Sequence, residues 1–558
     1  MQVSSLVSRA TASTKSRIYG TFYKETSDGN VSLDKWKVAL LFGIPVVIGC
    51  GCIAYFYFRQ PKKQRKSTAN AKTEPKTIAE TSKDPFTNAM SAKNRGNKYF
   101  KCAKYENAIQ CYTEAINLCP EHKVEELATF YQNRAASNEA LKKYEDVISD
   151  CSVAIQLKRD YLKAWQRRSK AYEELGRLPE ALNDITAACV LDQFQNQNNI
   201  ISTDRILRNH SKIKAKEHIS TRTPSMPSNH FVRHYFMSYV KHPIIEGTVD
   251  GNKLEELLVR LTESGDLVDR EEKISLIKGT IQILKGDVRN GETELEKVAK
   301  SETCDSSLRV NALIKLGTIK VHDIENTADG IRKSMECFEE ALKLDPNNPD
   351  IYLHRAQIYL LGEQFDEAKT DLEKCCDLSP NFPSGVAQRL YVHFRCAVRY
   401  NDETNVRKVI KEFEEATKKF PNSSELLSLY AQALMEQQKF QEADEFFLKA
   451  IQCDPEDANL LVHRAILLIQ STNNLEKALK LLEKALQSDN KCQFAYEMLG
   501  TIEVQRGNLQ KGIDCFDGAL ANAQTEIDCA HLYSLREAAM AQSKAIEMLG
   551  VQPIMPQF

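Results

Sequence analysis

Basic and amide side chains recur in three short segments, and their spacing would let them bind carboxylates. Lys93 and Asn97 are four residues apart in KNRGN, and Lys163 and Arg167 are four apart in KAWQR. Residues four apart share one face of a helix, and Asn133 lies between the two pairs along the chain. Lys and Arg form charge-assisted hydrogen bonds with carboxylates, and Asn donates to oxygen acceptors. The predicted ligand is a free C-terminus ending in an acidic residue, because it presents two carboxylates close together.

A sequence repeat predicts the helices that would carry these side chains. Small residues seven positions apart mark each repeat, as in Ala108/Ala115, Ala181/Ala188, Ala443/Ala450 and Ala478/Ala485. The period of about 34 residues is typical of tetratricopeptide repeats, which consist of two helices and stack into a superhelix with a concave surface. In that frame the five polar residues fall on the first helices of three successive repeats. We expect them on the concave surface, without an acidic side chain of matching register beside them.

The fold class predicted from these patterns is all-α: a tetratricopeptide superhelix in two arrays after a single N-terminal transmembrane helix. The segment Phe231 to Val240 is too apolar for a free linker and should pack on one of the arrays. The predicted parts are a tail (1–37), the anchor (38–58), a basic flank and flexible tether (59–90), an N-terminal array of three repeats (91–193), a junction (194–245), a C-terminal array (246–547) and a C-terminal tail (548–558).

The anchor prediction rests on 21 uncharged residues at 38–58, which are enough to cross a bilayer. A cleaved secretory signal would be shorter and would begin near the N-terminus, whereas 37 residues precede this run. Lys and Arg are denser after the run, so the positive-inside rule places the large C-terminal part in the cytosol. Residues 1–66 carry a net charge of +8 and the remainder carries −9, which argues against a nucleic-acid binder.

The inward positions of the C-terminal array carry a different mixture, which predicts a groove for an extended or amphipathic apolar segment with basic or polar residues. The same side chains could instead pack between helices. His354 and His463 lack a third metal ligand in register, so no metal site is expected. The candidate groove residues are His354, Tyr391, Phe394, Arg395, His463, Phe494 and Met498.

Catalytic motifs are missing from the sequence, which contains no P-loop, HExxH or GxSxG. The sixteen cysteines form no CxxC pair and are expected to be reduced thiols in the helical core. We therefore expect a binding protein without a cofactor rather than an enzyme.

The five polar residues resemble the two-carboxylate clamp of chaperone-binding tetratricopeptide domains, which hold the Glu-Glu-Val-Asp tails of cytosolic heat-shock chaperones. With its anchor and second array, the chain resembles the seventy-kilodalton import receptors of the mitochondrial outer-membrane translocase over nearly its full length. The resemblance implies a mitochondrial outer-membrane protein with its N-terminus in the intermembrane space. It also implies chaperones of the seventy- and ninety-kilodalton classes, mitochondrial precursor proteins and other translocase subunits as partners. The alternative is a membrane-anchored co-chaperone or adaptor on another membrane, such as the endoplasmic reticulum, without a precursor site.

Overall fold

The computed structural model describes most of the chain from residue 84 onward. Two short strands, β1 (Lys24–Glu25) and β2 (Val31–Ser32), pair antiparallel near the N-terminus. The predicted anchor at 38–58 lies outside the described residues, and none of the described helices is long and apolar enough to cross a membrane. Apart from the two strands, the described ranges are 84–265, 268–321, 327–362, 364–472 and 474–551.

These ranges are built from helices joined by short loops. In chain order the helices are α1 (Pro85–Lys101), α2 (Tyr105–Leu118), α3 (Val124–Ala140), α4 (Tyr144–Leu157), α5 (Leu162–Glu174), α6 (Leu178–Leu191), α7 (Gln197–Thr221), α8 (Asn229–Met237), α9 (Gly251–Glu263), α10 (Arg270–Lys285), α11 (Val288–Lys300), α12 (Ser306–Lys320), α13 (Thr327–Leu344), α14 (Pro349–Leu361), α15 (Phe365–Leu378), α16 (Pro383–Arg399), α17 (Glu403–Lys419), α18 (Ser424–Glu436), α19 (Phe440–Cys453), α20 (Ala458–Thr472), α21 (Leu475–Ser488), α22 (Gln493–Gln505), α23 (Leu509–Asn522) and α24 (Glu526–Leu549).

The helices pack as successive pairs, which confirms the predicted all-helical repeat. In the N-terminal part the pairs are α1/α2, α3/α4 and α5/α6. The later pairs run from α10/α11 through α14/α15 and from α18/α19 through α20/α21. Helix α1 begins at Pro85, inside the predicted tether, where the Asp84 carboxylate accepts hydrogen bonds from the amides of Phe86 and Thr87.

Small residues are required where the two helices of a pair cross. A Cβ added at Gly96 would lie 2.7 Å from the ring of Tyr112, and one at Gly500 would lie 2.8 Å from the ring of Phe516. In both cases an aromatic ring of the second helix covers the glycine of the first. The alanines of the predicted seven-residue pairs are likewise buried. The repeat pattern therefore reports close helix packing.

The chain divides into two compact units. Of the described residues, 84–210, 505–509 and the second half of α24, from Glu537, belong to one unit. The other, which we call the C-terminal unit because it contains most of the later repeats, comprises β1, β2 and the described residues of 211–504 and 510–536. Ala538, Ala541 and Ala545 share a core cluster with residues of α4 to α7. Because a repeat pattern shows only which residues face a neighbour, it could not show which helices the chain end would cover.

Candidate functional site

The first helices of the three N-terminal repeats carry the predicted carboxylate clamp. Alanines next to the clamp lysines are fully buried and show which face of each helix packs in the core. Ala92 precedes Lys93 on α1, and Ala164 follows Lys163 on α5. Helix α3 packs on α5. We refer to the set as the clamp: Lys93 and Asn97 on α1, Asn133 on α3, and Lys163 and Arg167 on α5.

Both clamp lysines have ammonium groups available for a ligand. Lys93 is half-buried and Lys163 is exposed. Neither forms an ion pair with any residue in the described part of the chain. An ammonium on a half-buried helix face is less screened than one in bulk water. These two positions are therefore suited to an incoming carboxylate.

The amide of Asn97 is oriented by a neighbour that the sequence did not indicate as functional. The Tyr112 hydroxyl donates to Asn97 Oδ1 at 2.7 Å. Because the oxygen is occupied, the amino group of the amide remains as the donor to a ligand. Tyr112 is held by its contact with Gly96 and is itself buried. Burial raises the pKa of Tyr112 to about 12, so it remains a protonated donor at neutral pH.

Arg167 has an acidic partner, so the prediction that no acid lies beside the clamp was wrong. Its Nε donates to Glu139 Oε2 at 2.7 Å, and Lys170 Nζ lies 2.8 Å from the other carboxylate oxygen. Partial burial alone would raise the pKa of Glu139, but the bonds from Lys170 and Arg167 outweigh it and lower that pKa. Glu139 is at the end of α3, in the neighbouring repeat. The spacing of residues within α5 therefore could not show that Arg167 has an acidic partner. Lys170 is a further cation beside the clamp, two helical turns after Lys163 on α5.

Three other arginines of the repeats form ion pairs between the two helices of a repeat. Arg134, Arg168 and Arg355 each pair with an aspartate sixteen residues later, in the second helix of the same repeat. The three aspartates are Asp150, Asp184 and Asp371, all buried. A buried carboxylate needs such a partner, because an unpaired charge in the core is costly. These arginines tie the two helices of a repeat together and are not available to a ligand carboxylate.

Most of the predicted C-terminal groove residues are in the helical core instead. His354 is fully buried, its ring lies against Tyr239 with centroids 4.6 Å apart, and burial lowers its pKa to about 3. Arg395 pairs with the buried Glu436 at 2.9 Å. Tyr391, Phe394 and Met498 are also buried. The alternative of inter-helix packing therefore describes these five residues. His463 and Phe494 are also buried, but they line an open space as well.

That space is a cavity of about 660 Å³ in the C-terminal unit. One wall comes from the first helices of late repeats, including Gln388, Ser428, Leu460, His463 and Phe494. The opposite wall comes from the strap, which we define as residues 222–245 and which contains α8. The apolar side chains that the strap contributes are Met226, Pro227, Phe231 and Met237. The strap residues were not predicted as part of a site, although their apolar run was the signal.

Acidic groups outnumber basic ones on the cavity wall. The carboxylates are Glu425, Asp457, Asp489 and Asp528, whereas the lysine and arginine side chains are Lys491 and Arg222. Burial raises the pKa of Glu425, against the opposing hydrogen bonds from Ser384 and Gln388. An apolar cavity with excess negative charge is complementary to an apolar segment that carries basic residues.

Hydrogen bonds fix both ends of the strap to the repeats of the C-terminal unit. Arg222 donates to the carbonyls of Ala523 and Lys285 at its start. Near its end, the carboxylate of Asp350 accepts from the amides of Val240 and Lys241. Buried side chains of α8 pack in one hydrophobic cluster with those of the helices that follow it. The strap is therefore an integral wall of the cavity, in agreement with the expectation that this segment packs on an array.

A buried lysine with a lowered pKa lies against the end of the strap. His242 Nδ1 accepts from the amides of Ile244 and Ile245, so its hydrogen must be on Nε2. That nitrogen is 3.0 Å from Lys315 Nζ, so the neutral amine of Lys315 can accept this hydrogen bond. Burial lowers the pKa of Lys315 to about 7, in agreement with this geometry.

The fold is that of a tetratricopeptide repeat protein. The tetratricopeptide repeat family matches residues 89–122, 331–362, 349–382 and 407–458. The human mitochondrial import receptor subunit TOM70 is 37% identical, over 93% of this chain and 94% of its own length. TOM70 of Saccharomyces cerevisiae S288c is 24% identical, over 82% and 80%. The crystal structure of yeast Tom70 aligns at 22% identity with a TM-score of 0.45, over 82% of this chain and 96% of that one. The chain belongs to the TOM70 family of mitochondrial import receptor subunits.

Family membership confirms the predicted resemblance and the location at the mitochondrial outer membrane. It also favours import over the alternative of an adaptor on another membrane. The predicted span at 38–58 and the N-terminal tail are outside the described residues, so the topology stays a prediction.

Proposed function

We propose that the clamp docks the acidic C-terminal tails of cytosolic heat-shock chaperones of the seventy- and ninety-kilodalton classes. The observation that carries the proposal is that Lys93 and Lys163 form no ion pair within the described chain, on the same set of first helices as the oriented amide of Asn97. A tail that ends in Glu-Glu-Val-Asp supplies carboxylates for these cations and backbone acceptors for the amides. Arg167 completes the site by sharing its guanidinium between Glu139 and the ligand.

The test is the affinity of the full chain for a Glu-Glu-Val-Asp peptide. Arg167→Ala removes one charged hydrogen-bond donor, worth about 1.5–3 kcal/mol, and should weaken binding roughly 10- to 150-fold. Arg177→Ala is the matched control, because Arg177 is exposed and pairs only locally with Glu180. Equal affinities of the two variants, with unchanged helicity, would disprove the clamp. A peptide amidated at its C-terminus should also bind weakly.

We propose further that the cavity accepts an apolar segment of a mitochondrial precursor protein. Its size is within the range of peptide and ligand sites, and its wall combines Met226, Phe231, Met237 and Phe494 with an excess of carboxylates. Methionine-rich surfaces adapt to different sequences. This combination supports a broad range of apolar clients with basic residues, rather than one defined ligand.

Site-specific photocrosslinking tests this second proposal. A photoreactive residue at Met237, in the cavity wall, should crosslink to a bound hydrophobic precursor. The same residue at Leu448 is the control, because this exposed side chain on α19 is not part of the wall. Equal crosslinking at the two positions would contradict the assignment.

Residues 38–58 are proposed to anchor the chain, with the N-terminal tail in the intermembrane space and the repeats in the cytosol beside other translocase subunits. Protease added to intact mitochondria should then digest an epitope at the C-terminus and spare one at the N-terminus. The reverse result would invert the proposed orientation.

A further inference from the structure

A cluster of two histidines and one aspartate joins the strap to the repeats beside the cavity. His230 Nε2 is 3.0 Å and His234 Nε2 is 2.7 Å from the same oxygen, Asp454 Oδ2. The two histidines are one helical turn apart on α8, and their ring centroids are 4.3 Å apart. Asp454 caps the C-terminal end of α19, in a distant part of the sequence. All three side chains are largely covered, with exposed fractions between 12% and 28%.

The arrangement has the ligand types and the spacing of a zinc site. Histidines four residues apart on a helix can bind one ion together, and a carboxylate from another element is a common third ligand. Zinc bonds of about 2.0–2.2 Å place neighbouring ligand atoms roughly 3.4 Å apart in a tetrahedron. In the structure the three ligand atoms already lie within 4.8 Å of one another. Small side-chain rotations would therefore complete the geometry.

The surroundings favour a cation. Asp457 and Glu425 act on His234 as nearby negative charges, and Glu456 is paired with Arg233. Both histidines also line the cavity, so the fourth position of a tetrahedral ion could be reached from that space. Three protein ligands and one open position leave room for water or a bound group, whereas structural zinc sites are usually closed by four protein ligands.

We propose that His230, His234 and Asp454 bind a zinc ion that ties the strap to α19 at the edge of the cavity. Zinc would replace the two hydrogen bonds between the strap and Asp454 with metal–ligand bonds. It would thereby hold the strap in place and offer its open position to a polar group of a bound segment. This site is independent of the carboxylate clamp, which is in the other unit.

Zinc titration of the full chain in detergent, against a chromophoric chelator, tests the proposal with Zn²⁺ as the probe. The wild-type chain should bind one zinc ion more per chain than His234→Gln. Asp454→Asn provides the second variant, because an amide oxygen can still accept the histidine hydrogen bonds while it lacks the charge of a metal ligand. Loss of one ligand should weaken this zinc at least about tenfold, since even supporting residues contribute tenfold or more.

Two controls separate this site from the sixteen cysteines of the chain. His122→Gln should retain the additional zinc, because His122 is exposed and remote from the cluster in sequence. Co²⁺ at the proposed site should show ligand-field bands that disappear in His234→Gln, without thiolate charge-transfer bands. Equal zinc stoichiometry in the wild type and both cluster variants, or a Co²⁺ spectrum due to thiolates alone, would overturn the proposal.

Discussion

Glu139 should oppose the binding of an acidic tail, so neutralising it should tighten the clamp. Its carboxylate occupies one side of the Arg167 guanidinium and also contacts Lys170. A ligand carboxylate that hydrogen-bonds the other side of this guanidinium would lie roughly 6 Å from the Glu139 carboxylate, about twice the length of a charge-assisted hydrogen bond. In Glu139→Gln the amide oxygen can still accept from Arg167 Nε, so the arginine keeps its orientation while the competing charge is removed.

The expected gain in peptide affinity depends on how exposed the Arg167–Glu139 ion pair is. The side chains of Arg167 and Glu139 are 20% and 23% exposed, so the local environment is between protein and water. Two like charges about 6 Å apart at an effective dielectric constant near 50 repel by roughly 1 kcal/mol, and physiological salt reduces this to about half. Glu139→Gln should therefore lower the Kd for the peptide about two- to fivefold.

Fluorescence anisotropy with a labelled Glu-Glu-Val-Asp peptide, at low and at high salt, measures this effect. The gain should shrink as the salt concentration rises. Glu180→Gln is the matched control, because Glu180 pairs with Arg177 on the second helix of its repeat and is half-exposed. Weaker binding by Glu139→Gln at every salt concentration would refute the reasoning, since it would mean that the charge of Glu139 is needed to position Arg167.

Three further outcomes are expected. Lys315→Met should raise the free energy of unfolding measured in urea at pH 7. The pKa of Lys315 falls from 10.5 in the unfolded chain to about 7 in the folded chain, so the unfolded state binds more protons between these pH values. Wild-type stability should then rise with pH by up to about 1.4 kcal/mol per unit, and the advantage of the variant should shrink by pH 9; a pH-independent difference would contradict a neutral lysine. Tyr112→Phe frees the oxygen of Asn97 and should weaken peptide binding about two- to tenfold in the same anisotropy assay, with little change in stability; an unchanged Kd would argue against the oriented amide. Gly500→Ala should lower the free energy of unfolding by about 1–3 kcal/mol, because its Cβ would lie 2.8 Å from a ring carbon of the second helix; calorimetry that shows no loss would mean that the helices can separate without cost.

The positions of the proposed clamp residues on the first helices of the repeats were predictable because they depend on local spacing. Lys163 and Arg167 share a face by helical spacing alone, and the repeat period relates them to the faces of α1 and α3. Glu139 was missed because it comes from the end of the preceding first helix. Its effect depends on how far α3 and α5 are rotated against each other, which the spacing within either helix does not specify.

The C-terminal groove was predicted less well. The repeat frame assigned His354 and Tyr391 to an inner surface, but the strap covers part of that surface: the ring of Tyr239 lies on His354. The strap does not follow the 34-residue repeat, so its sequence has no period that would predict where it packs. The cavity, its acidic wall and the zinc ligands all depend on that position.

The sequence by itself therefore determined the helical class and the repeat period, and it predicted the clamp residues, because each follows from periodicity over one or two helices. Only the tertiary structure decided that the strap forms a wall of the cavity, and that His230 and His234 meet Asp454 from a distant part of the chain. Contacts between such distant segments arise from the complementary shape and charge of folded surfaces. No local pattern of residues encodes them.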